Sequence, residues 1–212
     1  MQPRGEGSVV SVPGNTNLGF LEGLQGANFV YLLFAIREYP CDMVLKPQDL
    51  LVVLKLWVGR GEAWTYQTLA KALGLSPAEA HAAVKRARAA GLLLPGPLSV
   101  PLNAMALREF LIHGARYAFP AQVGSLGRGV PTAHAAAPLK DEMAPSDDPP
   151  PVWPHPEGTV RGMMVNPLYS SVPGAALEDS AIYELLALLD ALRIGRARER
   201  QMAARMIEER LK

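Results

Sequence analysis

The sequence predicts a mainly α-helical protein with one short pair of β-strands, and three observations lead to this prediction. Several segments carry apolar residues three to four positions apart, the spacing that places them on one face of a helix. The region after Gly91 has short apolar runs around a Pro-Gly turn, which are typical of a hairpin. Hydrophobic residues make up 49% of the 212 residues and charged residues 19%, a composition of globular rather than disordered proteins.

The N-terminal part of the chain is predicted to contain an arm and one helix. Residues 1–16 are polar and rich in glycine, so we expect a flexible arm, and they lack the basic and then apolar pattern of a signal peptide. Residues 17–39 are apolar and should be helical from about Ala27 until Pro40 ends the helix. The longest apolar run, Phe29–Ile36, is shorter than the roughly 20 residues of a membrane span, which favours a buried helix and no membrane partner.

Three helices are predicted next. Pro47–Val58 has proline at a first-turn position and is apolar nearly all round, so this helix should be deeply buried. Two shorter helices, Tyr66–Leu73 and Pro77–Ala90, should follow on either side of Gly74. Their apolar residues recur at helical spacing, so both helices are expected to pack one face against the core.

A hairpin and a further helix complete the first domain, which we place at residues 17–119. The segments Leu92–Leu94 and Leu98–Val100 are predicted to pair as strands around Pro95–Pro97. Residues Asn103–Tyr117 should then form a helix, because asparagine is a favoured N-cap residue and apolar residues follow it at helical spacing.

A proline-rich stretch separates this domain from the C-terminal part. Eight prolines fall between Pro131 and Pro156, together with the acidic pair Asp147–Asp148. Proline cannot donate a backbone hydrogen bond, and regular structure is hard to recognise in such a sequence. Residues 120–158 are therefore expected to be a linker or a loop that follows the surface.

Residues 159–212 are predicted to form a C-terminal helical tail. A short strand is expected at Thr159–Val165, and helices at Ser180–Leu192 and Arg196–Leu211. Basic and acidic residues balance across these helices. Such a balance favours a dimerisation or partner-binding segment with ion pairs over a nucleic-acid contact.

The chemistry-bearing residues give little support to catalysis. The single cysteine, Cys41, rules out an internal disulfide framework and a cysteine-rich zinc site, and it fits a reducing, cytoplasmic location. The four histidines are scattered without metal-ligand spacing. A glycine-rich phosphate loop after a strand and a nucleophile elbow are both missing from the sequence. We therefore expect no enzyme activity, no metal and no cofactor.

A helix-turn-helix is predicted around Leu69–Ala87. Two helices that cross at a fixed angle need a small residue at the crossing, and Ala70 supplies it. Gly74 occupies the turn, where glycine adopts a left-handed backbone at little cost. Ser76 is a favoured N-cap, and Glu79 three residues later completes a capping box. The inner stripe of the second helix is then Ala80, Ala83, Val84 and Ala87.

These residues resemble a known group of proteins. The run Leu69–Ser76, Leu-Ala-Lys-Ala-Leu-Gly-Leu-Ser, with the alanine and valine stripe after it, is similar to the winged-helix regulators, including the MarR-like group. Trp64–Thr65 resembles the lead-in to their second helix, and Gly91–Leu93 resembles the exit into their wing. The resemblance covers about Pro47–Pro101, roughly a quarter of the chain.

The resemblance implies a transcriptional regulator, expected to be a repressor, that binds double-stranded DNA as a homodimer on a palindromic site. The recognition helix would be Pro77–Ala90. By position, the residues placed for the major groove are Ser76, Ala78, His81, Ala82 and Lys85. Arg86 and Arg88 would reach phosphates, which adds affinity without sequence information. Residues 46–120 carry nine basic and four acidic side chains, and this local excess of positive charge favours the same function.

Two features of the sequence favour an alternative. Alanines occupy several groove-facing positions, and the wing over Leu94–Leu98 has no arginine or lysine. The winged helix would then be a scaffold for protein interaction, as in an antitoxin-like protein whose C-terminal helices hold a partner. A plain solvated helix face is also open as an interpretation of His81, Lys85, Arg86 and Arg88.

Overall fold

The computed structural model describes residues 44–99, 102–144 and 147–212. The described residues are about 55% helical and include one small three-stranded sheet, so the fold is α-plus-β. The predicted arm over residues 1–16 and the predicted helix within 17–39 lie outside the described residues. The helices are α1 Pro47–Val58, α2 Tyr66–Leu73, α3 Pro77–Ala89, α4 Ala104–Glu109, α5 Ala115–Ala118, α6 Leu139–Glu142, α7 Val172–Glu178, α8 Ser180–Ile194 and α9 Ala197–Arg210.

The predicted helices α1, α2, α3, α8 and α9 are confirmed to within two residues at each end. Proline at the first position begins α1, where Asp49 Oδ2 accepts a hydrogen bond from Lys46 N, and Ser76 caps α3. The predicted helix Asn103–Tyr117 is present as α4 and α5, joined by a π-helical turn over Phe110–Gly114. Asn103 caps it as expected, because its side-chain oxygen accepts a hydrogen bond from Ala106 N at 3.1 Å.

The predicted wing is reduced to one contact. Leu93 and Leu102 form a single antiparallel bridge, and Leu98 and Ser99 are not in a strand. The prediction of paired strands over Leu92–Leu94 and Leu98–Val100 is therefore wrong for the described residues. The prolines on both sides of Gly96 lack backbone N–H groups, so this loop cannot extend the ladder.

The prediction of a linker or surface loop over residues 120–158 is also wrong. This stretch contains β1 Val123–Pro131, a 3-10 turn Ala133–Ala135, α6 and β2 Pro151–Pro154. Together with β3 Val160–Val165, where a strand was predicted, it forms a sheet in which each strand pairs with the other two. Strand β1 is antiparallel to β2 and β3, and β2 is parallel to β3, so the three strands close into a small barrel.

Helices α1 and α8 lie at the centre of the core. Leu50–Leu54 of α1 and most residues of α8 from Ile182 to Leu192 are buried. Lys55 Nζ of α1 lies 2.6 Å from Asp179 Oδ2 at the N-terminus of α8. Helix α8 therefore shares one core with the predicted helix-turn-helix. A dimer or partner role for the outer surface of residues 159–212 stays a prediction. Across the described ranges, no helix combines the length and apolar character needed to cross a membrane.

Candidate nucleic-acid interface

The turn between α2 and α3 has the geometry that its sequence predicts. Gly74 adopts φ 62° and ψ 35°, a left-handed conformation. Leu75 N then donates to the Ala70 carbonyl oxygen at 2.9 Å, which closes the end of α2. Glu79 N donates to Ser76 Oγ at 3.2 Å, and Ser76 N donates to Glu79 Oε2 at 2.8 Å. The predicted capping box is thus confirmed.

Packing fixes which side of α3 faces outward. The predicted inner stripe of α3 is buried, and so are Leu69, Ala70 and Leu73 on α2. Small alanine side chains on α3 let it lie close to both α1 and α2. The opposite side of α3 consequently faces solvent.

Four of the seven predicted DNA-binding residues are exposed, namely Ser76, Ala78, His81 and Lys85, while Ala82 is half-buried. Ser76 Oγ accepts from Glu79 N as a cap and also donates to the Glu79 carboxyl, so its remaining capacity is one acceptor lone pair. The His81 ring makes an edge-to-face contact with Tyr66, with ring centroids 5.0 Å apart. This contact holds the imidazole at the α2 side of the exposed face, and Lys85 is one turn further along α3.

Arg86 is not at this surface, which corrects the prediction of a phosphate contact. Its Nη2 and Nε lie 2.6 and 2.7 Å from the Oδ1 and Oδ2 atoms of Asp49. Arg86 is 8% exposed and Asp49 is fully buried. The sequence offers a signal for this pair, because Asp49 is the one acid of a helix that is otherwise apolar nearly all round. A buried carboxylate needs a cationic or hydrogen-bonding partner.

Arg88 is half-buried and contacts the loop that contains Gly96. Its guanidinium donates to the carbonyl oxygen of Gly96, and so ties the end of α3 to the loop that follows it. Its Nε is buried without a hydrogen-bond partner among the described atoms. A phosphate contact by Arg88 would have to use the remaining donors of the guanidinium.

An acidic group also lies on the exposed face of α3. Glu79 is exposed at the start of the helix, and the hydrogen bonds from the Ser76 backbone and side chain lower the pKa of its carboxyl. Glu79 is therefore charged at neutral pH. A negative charge at this position opposes the approach of phosphates to the N-terminal end of α3.

A second group of polar residues, for which the sequence carries no local signal, is buried where the sheet meets α8. Asp190 Oδ2 accepts hydrogen bonds from Thr132 Oγ1 at 2.9 Å and from Trp153 Nε1 at 2.6 Å, and Oδ1 lies 2.6 Å from Arg193 Nη1. Burial raises the pKa of Asp190, while the Arg193 guanidinium and the two donors oppose that shift. Because Asp190 lies on α8 and its two neutral donors lie in or next to the sheet, this carboxylate links the sheet to α8.

A cavity of about 750 Å³ lies beside the sheet, near the N-terminus of α9. Its polar lining includes His134, whose Nδ1 lies 3.6 Å from Oε2 of the mostly buried Glu199, and the ion pair of Arg196 with Asp148. Proline and methionine side chains supply much of the rest. In the part of the chain that the structure describes, no three histidine, cysteine or acidic residues are grouped as metal ligands.

Comparison of the chain with models of protein families, with curated protein sequences and with solved structures finds no match. The resemblance of Leu69–Ser76 to winged-helix regulators thus stays a prediction. What supports a function is the geometry of α2 and α3 and the distribution of charge on the surface.

Proposed function

We propose that this chain binds double-stranded DNA through the exposed face of α3 and acts as a transcriptional regulator, a repressor that works as a homodimer. The observation that carries the proposal is the presentation of α3. A left-handed glycine turn, a complete capping box and a buried inner stripe hold this helix with Ser76, Ala78, His81 and Lys85 outward. A helix-turn-helix uses such a helix to enter the major groove.

The exposed side chains suggest how α3 would contact DNA. Ala78 and Ala82 are small enough for the helix to approach the base edges closely, and a methyl group can contact the methyl of thymine. His81 and Ser76 supply hydrogen-bonding groups near the start of the helix. Lys85 would neutralise a phosphate, which adds affinity without sequence preference.

The buried pair of Asp49 and Arg86 supports this function indirectly. It joins α1 to α3, so the recognition helix is held by a charged contact as well as by apolar packing. Side chains that read bases need a rigid support, because small errors in position cost specificity. In a homodimer, two such helices would lie about 34–36 Å apart, one turn of DNA.

The test is binding of the full chain to a duplex from its own promoter, measured by fluorescence anisotropy at several salt concentrations. Lys85→Ala should weaken binding roughly five- to tenfold near 0.1 M salt, since one phosphate contact is lost. Lys140→Ala removes an exposed lysine on α6 and is the matched control. An undetectable shift at low salt, or equal effects of the two variants, would refute DNA binding through α3.

A second candidate function is a protein-interaction module of the antitoxin type. Two observations favour it: Arg86 is withdrawn from the surface, and Arg88 is engaged with the wing loop. The exposed face of α3 then carries small side chains and few charges, which is compatible with the core of a protein–protein interface. For this candidate we expect a stoichiometric complex with a partner that Ala82→Arg disrupts, and no affinity for DNA.

A further inference from the structure

Two arginines lie directly opposite each other on neighbouring strands of the barrel. Arg128 of β1 and Arg161 of β3 are partners in the antiparallel register, so their side chains leave the same side of the sheet with Cβ atoms roughly 5 Å apart. Both residues are exposed. Neither arginine forms an ion pair with an acidic residue of the described ranges. Glu157, the acidic residue nearest to Arg161 in sequence, is not within ion-pair distance of either arginine.

The register fixes the outward direction of this pair. The next pair along the strands is Gly127 and Gly162. A Cβ at Gly162 would overlap the Pro150 carbonyl oxygen, and one at Gly127 would collide with the Met164 side chain. These glycines therefore face the crowded inside of the barrel. Because successive residues of a strand point to opposite sides, both arginines face solvent.

Such an arrangement is unfavourable without a counter-charge. Like charges directly opposite each other destabilise an antiparallel pair of strands. The next pair on the same side of the two strands, Leu126 and Met163, is apolar and supplies no carboxylate. An anion that bridges the two guanidinium groups would relieve the repulsion, and a phosphate oxygen pair suits the planar fork of arginine.

We propose that the cross-strand pair of Arg128 and Arg161 is a nucleic-acid contact separate from α3, which binds backbone phosphates of double-stranded DNA. This inference rests on the proposed function for the identity of the polymer. Because both arginines are exposed, a single anion would be held weakly there, since water screens the charges. A polymer anchored elsewhere supplies phosphates at high local concentration.

The neighbouring apolar residues fit a nucleic-acid backbone. Leu126 is 50% exposed and Met163 is half-buried, and they are partners in the register two positions from the arginines. Apolar side chains beside a phosphate contact can cover the sugar, while the arginines hold the charge. Because the two arginines carry no base-reading geometry, they should raise affinity equally for all sequences.

The experiment measures affinity of the full chain for promoter and unrelated duplexes by anisotropy, from about 50 to 200 mM salt. Arg128→Gln and Arg161→Gln should each lower affinity for both duplexes roughly five- to tenfold near 0.1 M salt, and reduce the salt slope by about 0.9. Arg198→Gln, at an exposed arginine of α9 without an ion pair among the described residues, is the matched control. Equal slopes for all three variants would overturn the proposal.

A further variant distinguishes a loss of DNA affinity from a loss of stability. Arg161→Glu places a carboxylate opposite Arg128, so the melting temperature should be unchanged or higher while DNA affinity falls at least as far as in Arg161→Gln. A lower melting temperature with unchanged DNA affinity would assign the pair a structural role and overturn the proposal.

The outcomes separate this inference from the function of α3. If Lys85→Ala has no effect while the arginine variants lower the slope, the role of α3 fails and the barrel contact stands. If Lys85→Ala weakens binding and the arginine variants match the control, α3 stands and the barrel contact fails. Binding of the pair to vesicles with anionic headgroups, with no change in DNA slope, would overturn it in favour of a membrane surface.

Discussion

Asp49 of α1 and Arg86 of α3 form a buried ion pair with two hydrogen bonds, at 2.6 and 2.7 Å. The pair spans 37 positions of sequence and joins the first helix of the core to the proposed recognition helix. Asp49 Oδ2 also accepts a hydrogen bond from Lys46 N at 2.8 Å, so the carboxylate caps α1 while it neutralises the arginine.

Removing one member of this pair should be strongly destabilising. Asp49→Ala removes the carboxylate that pairs with the buried Arg86 guanidinium, and the free energy of unfolding should fall by about 3–5 kcal/mol. Urea denaturation followed by circular dichroism measures this change. The double variant Asp49→Leu with Arg86→Met removes both charges and should be closer to the parent. A loss below about 1 kcal/mol in the single variant would show that the pair is not buried as described.

The turn glycine should be sensitive to an added methyl group. In Gly74→Ala the left-handed backbone becomes strained, and the new Cβ would lie 3.3 Å from Ser171 Cβ, so we expect a loss of about 1–2 kcal/mol. Gly174→Ala is the control, because this glycine lies inside α7 with nothing within 4 Å of the new Cβ. That variant should be stabilised by about 0.5–1 kcal/mol. Thermal melting of both variants against the parent distinguishes the two effects.

The link between α1 and α8 should give a pH-dependent stability. Burial raises the pKa of Asp179, but the hydrogen bond from Lys55 and the backbone amides of Ile182 and Ala181 outweigh it, and the net shift is downward. The folded protein therefore favours the charged carboxylate. This contribution is complete above the ordinary carboxyl pKa and is lost as the pH falls through the lowered pKa, in a window below about pH 4. Melting temperatures of Asp179→Asn should fall less steeply there than those of the parent.

The charge at the start of α3 should limit affinity for DNA. Glu79 carries a negative charge next to the residues placed for the major groove. Glu79→Gln keeps a hydrogen-bonding side chain at this position and removes the charge, so DNA affinity should rise about two- to fivefold at low salt. Glu208→Gln, at an exposed position of α9, is the control and should leave the anisotropy titration unchanged. Lower affinity in Glu79→Gln would show that the contribution of the Glu79 carboxylate to the cap of α3 outweighs its repulsion of phosphates.

Trp153, in the segment that was predicted to be a linker, should be important for stability. Trp153→Phe removes the indole N–H that donates to Asp190, and it leaves a space in a fully buried site. We expect a loss of about 2–4 kcal/mol, measured by urea denaturation, because a hydrogen bond to a charged group is lost together with packing. Trp64→Phe is the comparison: its indole donates to the Gly59 carbonyl oxygen at a half-buried position, so the loss should be smaller.

Elements whose sequence signals are local could be predicted closely. A proline start, a capping box and a turn glycine lie within a few residues of the helix ends that they set, which is why α1, α2 and α3 were predicted closely. Candidate site residues on the exposed side of α3 followed from the same periodicity. That periodicity also assigned Arg86 to the surface, because its position borders the buried stripe.

The errors have a common physical cause in long-range contacts. Arg86 is buried because Asp49, far away in sequence, requires a counter-charge. The stretch with eight prolines folds because Pro131, Pro151 and Pro154 lie at strand ends, where a missing N–H costs little. Gly129, Gly158 and Gly162, which flank this stretch, lie where a second backbone segment approaches closely, and the partner strands were not evident from the sequence.

The position of Asp190 has a consequence for how the molecule unfolds. The Asp190 carboxylate accepts hydrogen bonds from Thr132, which directly follows β1, from Trp153 of β2 and from Arg193 of α8. If the sheet opened alone, this charge would remain in an apolar surrounding without two of its three partners, Thr132 and Trp153, which is a costly intermediate. The sheet and the helical core should therefore open together, as one cooperative unit. Amide hydrogens of Val130 and Leu188 would then exchange through the same global event.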